Sequence, residues 1–174
     1  MSILSRIRTH SNLGLGGNVG DPIRSMRSAL QVLDKRSDCS VEAVSRLYRT
    51  PPWGKTDQSC FYNACAAIDT ILSPEQLLEL CLNIERNMKR VRAERWGPRT
   101  IDIDILTYGD LRQKLDALEI PHPRMTVRGF VLMPLADIAP NMEVAGRTIV
   151  EWLATADVMG IEVVDESRDW WRGG

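Results

Sequence analysis

Two aspartates, Asp102 and Asp104, carry the clearest chemical signal, in the run Ile101-Asp-Ile-Asp-Ile105. Strict alternation predicts a strand with one buried face. The three isoleucines then enter a core and both carboxylates emerge opposite, their Cα atoms about 6.6–6.8 Å apart. At that separation the carboxylates repel by roughly 2–2.5 kcal/mol with an effective dielectric near 20, and aspartate is disfavoured inside strands. Either a cation sits between the side chains, or the pair is a charged strand edge that deters aggregation. The strand alone leaves both open. Hard oxygen donors with no histidine or cysteine beside them favour Mg2+ over zinc or copper. The preceding stretch holds Arg86, Lys89, Arg90, Arg92, Arg95 and Arg99 against one acid, Glu94. That is a local charge of about +5 in a chain whose net charge is −1. Guanidinium groups fork onto phosphate oxygens, and cations leading into a carboxylate pair are the parts of a phosphoryl-transfer site. The same run could instead be a solvated face or a nucleic-acid contact.

Aromatic residues supply a second theme. Trp53, Phe61, Trp96 and Phe130 fall in loops or at element ends. With a polar group such as Asn63 they would make an apolar slot for a flat heterocycle, although each could also be ordinary core or loop anchoring. His122, held between two prolines, could donate to a phosphate or simply bond a carbonyl. The cluster Gly14-Leu-Gly-Gly17 invites a dinucleotide fingerprint, but Val19 stands where its third glycine belongs and no repeated βαβ units follow. These glycines are therefore expected to shape a tight strand-to-helix turn. No phosphate-binding loop of the G-x-x-x-x-G-K-[ST] type is present.

These groups need a scaffold, and the hydrophobic pattern supplies one. A first strand is predicted over 10–15, then a helix from the Asp21-Pro22 cap to the mid-thirties, on Ile23, Met26, Leu30 and Leu33. A strand over 41–48, a loop over 50–59 and a strand over 61–68 follow. The capping box Ser73-Pro-Glu-Gln76 opens a second helix carrying Leu77, Leu80, Cys81, Ile84 and Met88. The Asp102–Asp104 strand comes next. Pro121-His-Pro123 then leads into an apolar helix with Phe130, Val131 and Leu135, a capping box at Thr148–Glu151 starts a short helix, and 161–164 is a last strand. The order β-α-β-β-α-β predicts an α+β fold with a ferredoxin-like βαββαβ core. Its antiparallel-rich sheet is expected to carry helices on one face, with appended C-terminal elements. Residues 1–174 are read as one domain, with 1–8 a loose lead-in and 165–174 a tail.

Composition narrows the class. At 174 residues, with 44% apolar and 26% charged, the chain can bury a core without disulfide or metal staples. With 22 basic and 23 acidic residues it is no global polyanion binder. No apolar run approaches the roughly 20 residues of a membrane span, and the first residues show no export pattern. Four scattered cysteines without a C-x-x-C pair, and only two histidines, argue against a zinc site and for a reducing cytoplasm.

Several strings together resemble one family. Arg95-Trp-Gly-Pro-Arg-Thr-Ile-Asp-Ile-Asp-Ile105, with Tyr48-Arg-Thr-Pro-Pro52, Ile120-Pro-His122 and Arg128-Gly-Phe130, resembles 6-hydroxymethyl-7,8-dihydropterin pyrophosphokinases of folate biosynthesis, from about Leu13 to Pro140. The resemblance implies transfer of a diphosphoryl group from ATP to the pterin hydroxymethyl with release of AMP, two Mg2+ ions, and a monomer. It also implies residue roles. Asp102 and Asp104 match the ligands of both magnesium ions. Arg90 and Arg92 match the R-x-R of a catalytic loop, Arg99 the arginine before T-[IL]-D, and Trp96 the loop tryptophan that closes the site. His122 and Arg128 match phosphate-contacting positions, and Glu85 an acid near the nucleotide. Thr50, Pro52, Trp53, Phe61, Asn63 and Phe130 match the pterin pocket, the two phenylalanines sandwiching the ring. Two other classes share some of these features. One is a ferredoxin-like RNA-binding module using the basic loop at 86–99, whose hallmark is paired aromatics on central strands with no carboxylates beside them, so that Asp102 and Asp104 would repel its phosphate backbone unless metal-loaded. The other is a metal-dependent nuclease, which leaves the ring slot without a purpose.

Overall fold

The structure, a computed structural model, describes residues 7–51, 59–90 and 100–173, with the side chains of Lys89 and Arg90 outside that description. Its main sheet is built from β1 (Thr9–Gly17), β2 (Cys39–Val44), β3 (Leu47–Thr50), β4 (Phe61–Thr70), β5 (Asp102–Tyr108) and a late strand, Glu162–Asp165. The helices α1 (Pro22–Asp34) and α2 (Pro74–Arg90) make the two crossovers. After β5 come a small hairpin, β6 (Gln113–Lys114) and β7 (Glu119–Ile120), then α3 (Gly129–Ile138). A second hairpin, β8 (Glu143–Val144) and β9 (Arg147–Thr148), α4 (Ile149–Thr155) and the late strand, β10, complete the order.

Strand order is β10-β3-β4-β1-β5, with β2 also paired to β4, and every neighbouring pair is antiparallel. Since β2 and β3 together fill the place of one strand, this is the ferredoxin-like βαββαβ arrangement. The predicted cap groups do the work expected of them. Asp21 accepts the N–H of Arg24 at 3.1 Å, and Thr148 accepts that of Glu151 at 3.2 Å. Ser73 and Gln76 exchange bonds of 2.9 and 3.1 Å between side chain and backbone.

Period-two alternation sorts the sheet into two faces. Leu13, Leu15, Ile103 and Ile105 face one core with Met26, Leu30 and Leu33 of α1 and Leu77, Cys81 and Ile84 of α2. Cys65 and Leu106 face the other way, into a second core with Met125, Leu132 and Leu135 and with Ile149 of α4. Helices therefore cover both faces of the sheet, not the one face expected. The appended segment has its own apolar stripe, which must be buried against something. It covers only part of the second face.

The single strand expected over 41–48 is broken at Ser45-Arg46, and tertiary partners account for the break. The Ser45 carbonyl accepts from the Trp170 indole at 2.9 Å, and the Arg46 N–H donates to Asp137 at 3.1 Å, so both groups point out of the ladder. Asp137 on α3 also accepts from the Arg46 guanidinium (3.1 and 3.2 Å) and from the Tyr48 hydroxyl (2.7 Å). Burial alone would raise this carboxyl, but the hydrogen bonds from Arg46 and Tyr48 outweigh it and hold it below the ordinary aspartate value. A depressed carboxylate stabilises the fold above its unfolded pKa, and the contribution is lost as pH falls through the lower folded value. Asp137→Asn is expected to cost about 2–4 kcal/mol near pH 7, since it weakens several bonds at a buried hub. Urea unfolding between pH 7 and pH 3 is the check. The deficit should shrink on the acid side, and a constant deficit would remove the carboxylate charge from the explanation.

Candidate active site

The uncovered part of the second sheet face is a cleft of about 880 Å³. Its floor is β1 with Gly14, Gly16 and Gly17, flanked by Asn63 and Cys65 of β4 and by Asp102, Asp104 and Leu106 of β5. Thr50 and Phe61 rise on one side, and Arg128, Phe130 and Val131 on another. The glycines at 14, 16 and 17 belong to the strand and not to a turn, which corrects the expectation from sequence. What the floor uses is their missing side chain. A Cβ on Gly17 would stand 2.5 Å from the carbonyl oxygen of Thr100, so β1 and the entry to β5 can approach only through glycine. The positive φ of this region belongs to Gly20, at 67°.

Pleating places the carboxylates as the alternation predicts. Ile101, Ile103 and Ile105 are buried, while Asp102 is half-buried and Asp104 exposed on the cleft side. Opposite Gly16 and Gly14 in the β1 register, both aspartates line a stretch with no competing side chain on the neighbouring strand. Among the described residues β5 has a strand neighbour on one side only. On its other side, Glu85 of α2 accepts the N–H of Ile103 at 2.7 Å, fixing the peptide between the two aspartates. Glu85, expected near a nucleotide, stands outside the cleft lining and anchors the carboxylate strand.

The ring-slot residues line the same cleft. Phe61 opens β4 and Phe130 sits in the first turn of α3, two ends that the topology brings together. Asn63 is buried, and its amide N–H donates to the Thr50 hydroxyl at 2.9 Å. The Arg128 guanidinium lies over the Phe130 ring, 5.6 Å from its centroid. Cys65 also lines the cleft. Burial pushes its thiol up, so it stays protonated and is no nucleophile.

His122 lies outside the cleft lining. Its ring accepts the N–H of Arg124 on Nδ1 at 3.2 Å, and burial lowers its pKa, against the pull of Asp104 and with the push of Arg128. At neutral pH the ring is uncharged and its proton is on Nε2, available to donate. The structure therefore brings Thr50, Phe61, Asn63, Asp102, Asp104, Arg128 and Phe130 to one cleft. Pro52, Trp53, Arg92, Trp96 and Arg99 lie outside the described residues, as does the side chain of Arg90. Sequence reasoning missed the glycine floor, Leu106 and Val131. Each looks like ordinary strand or helix filling until the uncovered face is known.

The residues fit a hard divalent cation. The donors are two hard carboxylates, and no group of three or more histidine, cysteine, aspartate or glutamate residues that could hold a metal ion is found among the described residues. An all-protein cage for zinc is therefore missing from the described part, whereas Mg2+ is ordinarily held by one or two carboxylates plus water and substrate phosphates.

Comparison with known proteins agrees with this geometry. Residues 12–140 match the family described as 7,8-dihydro-6-hydroxymethylpterin-pyrophosphokinase (HPPK). The chain is 48% identical over 157 residues to a 2-amino-4-hydroxy-6-hydroxymethyldihydropteridine pyrophosphokinase from Methylorubrum extorquens, covering 90% of this chain and 99% of that one. Its identity to the protein of the same description from Pseudomonas aeruginosa is 42% over 151 residues, covering 86% and 93%. Among solved structures it is similar to wild-type Plasmodium falciparum HPPK-DHPS, with a TM-score of 0.67, 18% identity and 84% of this chain covered. The chain spans only 44% of that longer protein, and the likeness speaks for the fold. With the family model matching residues 12–140 and the Methylorubrum relative covered over 99% of its length, the chain belongs to the HPPK family.

Proposed function

We propose that this protein transfers the diphosphoryl group of ATP to the hydroxymethyl oxygen of 6-hydroxymethyl-7,8-dihydropterin, releasing AMP, in folate biosynthesis. The observation that carries the reading is one cleft lined both by Phe61, Phe130 and Asn63 and by the carboxylate pair, with β1 lying between the strands that carry Asn63 and the aspartates. A flat heterocycle and a polyphosphate can lie end to end in it. Phe61 and Phe130 hold the pterin ring, and Asn63, oriented by its bond to Thr50, supplies polar recognition in an otherwise apolar floor. Asp102 and Asp104 would hold two Mg2+ ions, which when bound neutralise phosphate charge. Arg128 is placed to leave the Phe130 face for an anion. His122 offers an uncharged N–H donor, and Arg90, Arg92 and Arg99 supply the remaining positive charge, with Trp96 closing over the site.

Little covalent help is needed from the protein, because phosphoryl transfer proceeds through a loose transition state in which positioning and charge neutralisation carry most of the barrier. The pterin O–H bond breaks, a new O–P bond forms at the β-phosphorus, and the bond to the α-phosphate oxygen breaks as AMP leaves. Nothing favours the RNA-binding reading, and a sheet face carrying Asp102 and Asp104 would repel a nucleic-acid backbone. The proposed working form is a cytoplasmic monomer. The four cysteines, three of them buried, suit a reducing compartment, and among the described residues no helix is long and apolar enough to cross a membrane. Separation of the nucleotides after a single turnover tests the chemistry. AMP with pterin diphosphate is the expected pair, whereas ADP with pterin monophosphate would overturn diphosphoryl transfer.

A further inference from the structure

The connection between α4 and β10 touches both walls of the ring slot from behind, although it lies beyond the 12–140 stretch that matches the family. On one side it meets the start of α3. A Cβ on Gly129 would fall 2.1 Å from the carbonyl oxygen of Asp157 and 3.1 Å from a Val158 methyl, so backbone packs on backbone there. Gly129 is flanked by Arg128 and Phe130, which both line the cleft. On the other side it meets the exit of β3. Gly160, at φ 77°, would place a Cβ 2.8 Å from Cγ of Pro51, the residue after Thr50.

The connection is itself stiff. The Ala156 N–H donates to the Leu153 carbonyl at 3.1 Å, that of Met159 to the Asp157 side chain at 3.0 Å, and that of Ile161 to the Val158 carbonyl at 3.1 Å. β10 then runs antiparallel to β3, pairing Glu162 with Arg49 and Val163 with Tyr48. A rigid segment that abuts both walls and is tied into the sheet holds them at a fixed spacing. Close-packed backbone has few soft degrees of freedom through which that spacing could relax.

We propose that residues 156–160 are a spacer that sets the gap between the Phe130 wall and the Thr50–Pro51 wall, and so tunes the slot to the thickness of one flat ring. Its residues touch no substrate, so they are positioning residues, and the proposal rests on the functional reading above.

The test compares wild type with Gly129→Ala, Gly160→Ala, Pro51→Ala and the Pro51→Ala/Gly160→Ala pair. Calorimetry gives the affinities for 6-hydroxymethylpterin and, separately, for a non-hydrolysable ATP analogue with Mg2+. Thermal unfolding of each variant runs alongside. Gly129→Ala is expected to weaken pterin binding at least tenfold while the ATP-analogue affinity stays within about twofold. Gly160→Ala should weaken pterin binding about fivefold. Adding Pro51→Ala, which removes the ring atoms a new Cβ would strike, should recover most of that loss although the backbone strain at 160 remains. Should Gly129→Ala fail to fold, the Gly160 and Pro51 cycle decides alone. Folded Gly160→Ala protein with unchanged pterin affinity, absence of rescue in the double variant, or a parallel loss of ATP-analogue affinity would each overturn the spacer. Wild type that binds no pterin would overturn the functional reading instead.

Discussion

Asp102→Asn and Asp104→Asn are each expected to lower turnover by several hundredfold, with the thermal midpoint moved by only a few degrees. The asymmetry follows from where the two side chains stand. Ile101, Ile103 and Ile105 do the packing on the far side of β5, and the aspartates contribute little buried surface of their own. Asparagine keeps their shape and their place in the strand. What each substitution removes is one negative charge at the point where a polyphosphate and its counter-cations must be gathered. Losing preorganised charge of this kind typically costs about 3–4 kcal/mol of transition-state stabilisation, which corresponds to a factor of about 150 to 900. Single-turnover rates at saturating Mg2+, with pterin affinity measured alongside, are the check. Pterin affinity should persist, because Phe61 and Asn63 on β4 and Phe130 on α3 line the cleft from other elements than the aspartates' strand. Near-normal rates in both variants would take the metal assignment away from this pair.

The largest effect on stability is expected far from the chemistry, at Trp170. The tail expected over 165–174 belongs to the main core: Trp170 and Trp171 are 5% and 4% exposed and pack with residues of the sheet, α1 and α2. Side chains of α1 hold the backbone there, since Arg27 donates to the Trp170 carbonyl at 3.1 Å and Gln31 to the Trp171 carbonyl at 3.0 Å. Trp170→Ala removes a large buried ring, costing about 3–5 kcal/mol by the usual scale for aromatic truncation. It also strips the Ser45 carbonyl of its indole donor at the break between β2 and β3. A loss of about 4 kcal/mol in a chain of this length lowers the melting temperature by roughly 10 °C. Calorimetric unfolding measures it. A shift below about 2 °C would mean that the C-terminal segment lies outside the cooperative unit.

These two residues mark the boundary of what could be read from the chain. Local chemistry was legible wherever one short segment carries its own instruction. Alternation in Ile101–Ile105 gave the face of each aspartate, the Ser73–Gln76 and Thr148–Glu151 boxes gave helix starts, and the order of elements gave the ferredoxin-like core. Most of the predicted ring-slot and carboxylate residues in the described segments meet in one cleft, because motif residues sit at strand and helix ends that this topology brings together. The rest depended on partners distant in sequence. Val41–Tyr48 has the composition of one strand, and only Asp137 and Trp170, about 90 and 125 residues away, break it at Ser45-Arg46. Gly14, Gly16 and Gly17 look like turn residues until the approach of Thr100 shows that the strand needs them bare. Nothing local to Asp169-Trp-Trp-Arg172 says whether its rings face water or a core. A tryptophan is buried by the surface it meets, and that surface exists only once α1 and the sheet have assembled.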